Sequence, residues 1–332
     1  LGAFVAQRLA GGLLLAAVVL QGATLAAQTD PTPEPAPHPC DAATGPTKKV
    51  CRAGYDALTL ATPAVALLAS RGNPSLGSAG GGGRFGQATV SVRGTYLQAL
   101  LPATSYDGTE DAVPAARRLP AAVPSLDLRF PLLTKALPIG AVSVDFLGAI
   151  VGLPRGATDF IRLAPGVRSV GGVALGFGYG LRIGMTPSGQ LPTASLNVTR
   201  HDFPRFTFGD LVRGSNFAYT LSASAMNVRL LVGRRSGRLE FTAGGGADLI
   251  KGDYSISYVN QTTRSPISAD STLSALRIVT VANAALDLVA GLRIGFEGGF
   301  QVGKDDKLPT RFEAVNPKSG RFFGGVGLGF KL

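Results

Sequence analysis

The chain has 332 residues, a formal net charge of +11, 16% charged and 45% hydrophobic residues, and 45 glycines. A soluble domain usually carries about 25% charged residues and about 7% glycine, so the composition points away from an ordinary cytosolic enzyme. No internal stretch supplies the roughly 18 uninterrupted apolar residues of a membrane-spanning helix, which leaves a very apolar soluble core or a membrane-embedded β-barrel.

The amino terminus favours export. Arg8 precedes the apolar run Leu13–Leu20, then small residues at Ala23, Thr24, Ala26 and Ala27, then polar Gln28-Thr29-Asp30. That is the order of a secretory signal peptide, and residues 1–27 are read as one, with cleavage near Ala26 or Ala27. Residues 28–48 follow as an extended linker carrying Pro31, Pro33, Pro35, Pro37 and Pro39. The only cysteines, Cys40 and Cys51, lie beyond the signal in a compartment that permits disulfides, and a disulfide is the favoured reading over free thiols. A metal site is not expected, because only His38 lies near them. Residues 52–70 are predicted as one short helix kinked by Pro63, followed by a Gly/Ser-rich loop over 71–84. The whole segment 28–84 is expected on the periplasmic side, with 52–84 a candidate plug.

From Phe85 the hydrophobic period becomes two. Polar Ser91, Arg93 and Thr95 alternate with Val90, Val92 and Tyr96. Leu175, Phe177, Tyr179, Leu181 and Ile183 alternate with Gly176, Gly178, Gly180, Arg182 and Gly184. Side chains of a strand point alternately to its two faces, so one face is apolar and the other small or charged. Ten strands are predicted, near 86–100, 124–133, 139–151, 170–185, 191–203, 216–233, 238–257, 271–285, 288–303 and 319–332. A phase change between Ser224 and Asn227 is read as a bulge, or as a turn that raises the count to twelve. The joins alternate long and short, the last short one near Leu286-Asp287. An even strand number with all short turns at one end is the pattern of an outer-membrane barrel. The fold class is therefore all-β: an antiparallel up-and-down transmembrane barrel over 85–332, with the carboxyl terminus in the periplasm. Trp is absent, so an aromatic girdle would use Phe130, Tyr179, Tyr219 and Phe300.

The last strand resembles those of bacterial outer-membrane β-barrel proteins, which carry alternating apolar residues read by the barrel-assembly machinery. Val326, Leu328 and Phe330 fit that signal, and Leu332 stands where an aromatic residue is usual. The resemblance implies a bacterial outer-membrane location, with the assembly machinery, lipids and lipopolysaccharide as partners. It names no particular family. Asn73-Pro74-Ser75 resembles the Asn-Pro-Ala motif of fatty-acid-transporter-like barrels, which implies an alternative function in moving hydrophobic compounds.

Charged residues in the strands fall on the face opposite the lipid: Arg93, Asp127, Arg129, Asp145, Arg182, Arg229, Glu240, Asp248, Arg277, Arg293, Glu297 and Arg321. A lipid-facing Arg or Lys at mid-depth costs about 2–4 kcal/mol, so these are read as lumen residues. They form either a network filling a narrow barrel or a charged pore constriction, and their excess of arginine would favour anions. Arg117, Arg118, Arg155, Arg162, Arg168, Arg200, Arg205 and Arg213, near the long connections, are candidates for lipopolysaccharide phosphates. Nucleic-acid binding is not expected, because the charge is dispersed and the compartment is wrong. No cofactor is expected, and the Gly-rich runs lack the context of phosphate loops. The expected function is a structural barrel or a narrow pore for small solutes, either open or plugged, rather than an enzyme. A surface hydrolase using His201 is a further alternative, with Asp210 or Ser215 as candidate partners because Asp202 would face the other way.

Overall fold

The computed structural model describes residues 40–41, 43–81, 85–101, 104–110, 112–113, 117–154, 161–163, 169–170, 173–188, 191–260, 263–264, 266–289, 291–303, 311–312 and 320–332. Residues 1–39, which hold the expected signal peptide and the proline-rich part of the linker, lie outside the described residues. Two compact units divide the chain at Asp41/Ala42, and the architecture below is that of the second.

One helix, α1 (Gly45–Ser70), precedes ten long strands. These are β1 (Thr89–Leu101), β2 (Arg117–Leu137), β3 (Gly140–Pro154), β4 (Val173–Pro187), β5 (Thr193–Asp202), β6 (Phe217–Ser236), β7 (Leu239–Val259), β8 (Pro266–Asp287), β9 (Leu292–Gly303) and β10 (Arg321–Lys331). Each pairs antiparallel with the next. The ring closes where β1 pairs β10, from Thr89↔Lys331 to Leu97↔Phe323. Closure satisfies every strand edge, which a sheet in lipid requires. The expected ten strands are therefore present. Within the β5–β6 connection the three-residue strand Phe206–Phe208 pairs with the start of β6.

Alternation sets the two faces. On β4 the outward Phe177, Tyr179, Leu181 and Ile183 are each at least half exposed, whereas Arg182 between them is fully buried. The same apolar exterior continues over Leu230, Phe241, Leu249, Leu276, Ile278 and Phe296. On a closed barrel this exposed band is the lipid-facing surface. The short turns lie at one end with Thr89 and Lys331, the long connections at the other. Short turns are periplasmic in this architecture.

The phase change in β6 has a different cause from the one expected. No bulge and no turn occurs, and β6 pairs β7 in unbroken register from Phe217 to Ser236. Odd-numbered residues point inward throughout. The chemistry switches instead of the geometry: Phe217, Tyr219 and Leu221 face α1, while Asn227 and Arg229 face a charged lumen below. Tyr219, at 1% exposure, therefore belongs to the lumen and not to the expected girdle. The register irregularity falls in β2, at Pro131/Leu133.

Helix α1 begins seven residues before the expected start at residue 52, with Pro46 in its first turn, where its fixed φ suits helix entry and its missing N–H costs nothing. It continues through Pro63 as one element rather than breaking there. Leu58 and Leu67 are fully buried, and burial surrounds the helix from Ala53 onward except at Thr59. A helix apolar all round needs protein on every side. The ring provides it, since α1 packs against β1, β2, β4, β5, β6, β7 and β8.

Candidate functional site

Residues 45–81 thread the lumen. At its start α1 lies under the first long connection: Gly108, at φ +84°, sits where a Cβ would overlap the Pro46 carbonyl. Asp107 shapes that turn by accepting from the Thr109 backbone N–H (3.0 Å) and hydroxyl (2.6 Å), which holds its carboxyl below the usual range. Further down, Gly54 lies against Ile256 and Phe217, and Gly252 lies against Thr62. Arg321 donates to the Leu60 carbonyl at 2.6 Å. The loop after α1 then reaches the short-turn end, where Gly81 lies against Ser143 and Gly184. The candidate plug of the sequence thus fills the lumen. It enters near the long-connection mouth, beside Gly108, and ends at the short-turn mouth.

The plug loop is fastened largely through its backbone. Arg182 donates to the Ser78 and Gly80 carbonyls, and Arg93 to those of Asn73 (2.7 Å) and Pro74 (2.8 Å). Glu297 accepts from the Gly72 and Asn73 amides at 3.1 and 2.8 Å, and Glu240 from Ala79 at 3.3 Å. Arginine caps carbonyls and glutamate caps amides, so chain ends and turns that have left the helix keep their hydrogen bonds in a buried place.

One side-chain pair adds to this. Arg71 donates through Nη1 to both Asp127 oxygens at 2.6 Å, and the Arg93 Nε lies 2.8 Å from the same carboxylate. The three side chains are 3%, 4% and 7% exposed. Arg71 also takes φ 57°, ψ −169°, a backbone region nearly confined to glycine and costing about 1–3 kcal/mol. Its N–H still closes the helix onto Leu67 O at 2.8 Å.

All twelve charged residues predicted for the lumen face it. Arg93, Asp127, Arg182, Glu240, Glu297 and Arg321 hold the plug. Arg229 pairs with Asp248, which also accepts from Asn227 and, at 3.0 Å, from Gln301. Arg277 stands opposite Asp248 on β8. Asp145 lies opposite Arg182 and is fully buried. Arg293 bridges Glu240 (3.0 Å) and Asp287 (2.6 Å), and Arg129 lines the lower lumen. Five of these residues, Arg93, Asp127, Arg182, Glu240 and Glu297, bond residues 71–81, and Arg321 bonds Leu60 on the helix; no periodic signal in the sequence marks that division.

The remaining predicted groups are placed as follows. Cys40 and Cys51 are both disulfide-bonded, not free. Val326, Leu328, Phe330 and Leu332 line the exterior of the last strand and its end. His201 is buried near Arg71 and Asp127, and neither of its ring nitrogens has a hydrogen-bond partner. Asp202 faces outward and pairs with Arg200 at 3.4 Å. Ser215 bonds Thr104 and the Asp210 amide, so neither expected partner meets His201. Asn73 is fully buried, and its side chain accepts from the Ser75 amide at 2.9 Å, a turn-forming role. Among the loop arginines, Arg200 and Arg205 are exposed, while the side chains of the other six lie outside the described residues.

A closed, ten-stranded antiparallel barrel with an apolar exterior and a filled polar lumen is a bacterial outer-membrane β-barrel. Among solved structures, the chain is similar to the outer-membrane protease OmpT from Escherichia coli, at 9% identity, 74% of this chain, 96% of that one and a TM-score of 0.39. It is similar to the translocator domain of the autotransporter NalP from Neisseria meningitidis, at 10% identity, 85% and 97% coverage and a TM-score of 0.39. Ail, the attachment invasion locus protein of Yersinia pestis, is similar at 9% identity, 75% and 100% coverage and a TM-score of 0.31. No protein-family model matches the chain, and no curated protein matches it.

Proposed function

We propose that this protein is a narrow outer-membrane pore for small solutes, held shut by its own residues 45–81. One observation carries the reading: the plug loop is bound to the wall by buried arginines and carboxylates, with Arg71–Asp127 as the direct ionic lock. A wall built only for stability would be filled by its own residues. Here Arg93, Arg182 and Glu297 spend their bonding capacity on the backbone of another segment. Removing that segment would leave a polar, arginine-rich channel.

Planar-bilayer recording tests this. The intact protein is expected to be mostly silent. Deletion of residues 45–81 gives steady conductance, and Asp127→Asn, which keeps the plug but breaks its lock, gives longer openings than the parent. Silence from both variants, each showing the heat-dependent gel mobility of a folded barrel, would overturn the proposal.

A further inference from the structure

A cavity of about 660 Å³ opens at the short-turn mouth beneath the plug loop. That volume falls within the roughly 300–1,000 Å³ of small-molecule sites. Its roof is plug loop, including Ser75, Ser78 and Gly80, and its walls come from strand ends on several sides of the ring.

The charges around it do not balance. Four basic side chains, Arg129, Arg235, Arg293 and Lys331, line it against two acidic ones, Asp127 and Glu240. Both acids are already engaged. Asp127 is held between Arg71 and Arg93. Glu240 takes Arg293 and the Ala79 amide. Arg235 is tied to Asp287 at 2.6 Å. Arg129 is different. Its side-chain bond is a long one, 3.5 Å to the Thr89 hydroxyl, and its Nε is buried with no hydrogen-bond partner. The carboxylate that acts on it most strongly, Asp145, stands opposite Arg182 in the strand pair and has neither oxygen hydrogen-bonded. Asp145 thus lies near two guanidiniums and is hydrogen-bonded to neither, so Arg129 enters the cavity wall without a direct ionic partner. The hydroxyls of Ser91 and Thr134 also line the space and can meet a bound oxygen, while that of Thr193 donates to the Gly233 carbonyl at 3.1 Å.

The geometry points to a small-oxyanion site in this cavity, centred on Arg129 and taking a carboxylate or phosphate group from the periplasmic side. A lining guanidinium whose one side-chain hydrogen bond is long keeps N–H donors for such a group. Surrounding hydroxyls complete the coordination without adding negative charge. The site is a property of the wall and mouth, and it does not require the plug to move.

Calorimetry on the intact, folded protein in a neutral detergent tests it with four probes: inorganic phosphate, succinate, a short-chain phosphatidylglycerol and uncharged glycerol. Saturable binding of phosphate, succinate or the phospholipid is expected, with none for glycerol, and added salt should weaken it. Binding by the free anions identifies a soluble ligand; binding by the phospholipid alone identifies a lipid headgroup as the source of the same group. Arg129→Gln should weaken binding at least tenfold. Thr134→Glu, at an exposed lining position that leaves Arg129 intact, should do the same by adding a repelling charge. Arg235→Gln, half exposed and tied to Asp287, should change affinity less than threefold. Absence of saturable binding for every charged probe overturns the inference. So does unchanged affinity in both Arg129→Gln and Thr134→Glu.

Discussion

Replacing Asp127 by Asn should loosen the plug far more than any exposed charge change. In the parent, Asp127 neutralises two buried guanidiniums, at 2.6 Å from Arg71 and 2.8 Å from Arg93. An asparagine of the same shape leaves both cations in place, with Glu297 4.0 Å from Arg93 as the remaining nearby acid. Breaking a buried pair by removing one partner typically costs about 3–5 kcal/mol. Arg71 regains water when the plug leaves, so this cost falls on the plugged state. The strained backbone of Arg71 acts in the same direction, since it is relaxed once α1 is released. At about 1.4 kcal/mol per tenfold, the plug-out population should rise by roughly a hundred- to a few-thousand-fold. Hydrogen exchange of the α1 amides reads that population directly. A double-mutant cycle with Arg71→Gln should recover a coupling above about 1 kcal/mol, because the two residues are in contact. Arg200→Gln is the internal control: its pair with Asp202 is 55% and 48% exposed and worth about 0–1 kcal/mol. If α1 exchange in Asp127→Asn matched that of Arg200→Gln, the ionic lock would not exist.

Three other substitutions probe other links. Leu67→Ala, at a fully buried position on α1, should cost about 2–5 kcal/mol, seen as faster exchange of α1 while the strand amides stay protected. Leu230→Arg, on the lipid face at 57% exposure, should lower the unfolding free energy in lipid vesicles by about 2–4 kcal/mol at mid-depth; a neutral result would mean that this face does not meet lipid. Gly184→Leu places a side chain where the Gly81 backbone passes, so it should displace the end of the plug loop and make an introduced Ser78→Cys reactive to a thiol reagent.

The barrel was legible because a strand half in lipid and half in a polar lumen must alternate, and β4 does so over its whole length. Turn positions followed from the same pattern, although Leu286 and Asp287 prove to be strand residues and Leu288 and Val289 are the described residues that bond across to Leu292 after the strand. The pattern failed where its physical basis changed. Above Ser224 the outward residues of β6 and β7 leave the lipid and become polar, while the inward ones meet α1 and become apolar, so the hydrophobic phase inverts in a geometrically regular strand. The start of α1 was hidden because its first turn, Pro-Thr-Lys-Lys, is polar. The charged face of the lumen could be read from alternation. Its division into wall-to-wall and wall-to-plug bonds could not, because Arg71 and Asp127 are 56 residues apart and no local period links them.

The course of α1 also bears on how the molecule can be made. The chain enters the ring at one mouth near Pro46 and leaves it at the other near Gly81, then turns back into β1. The ring around it is sealed where β1 pairs with β10, the first and last strands of the ring in chain order. A polypeptide in this state is a thread through a hoop that the same thread forms. Slipping α1 out sideways would require the seam to part, whereas drawing it out lengthwise requires only that its anchors release. The seam between β1 and β10 therefore bars a sideways path, and any passage of residues 45–81 into or out of the closed ring is lengthwise.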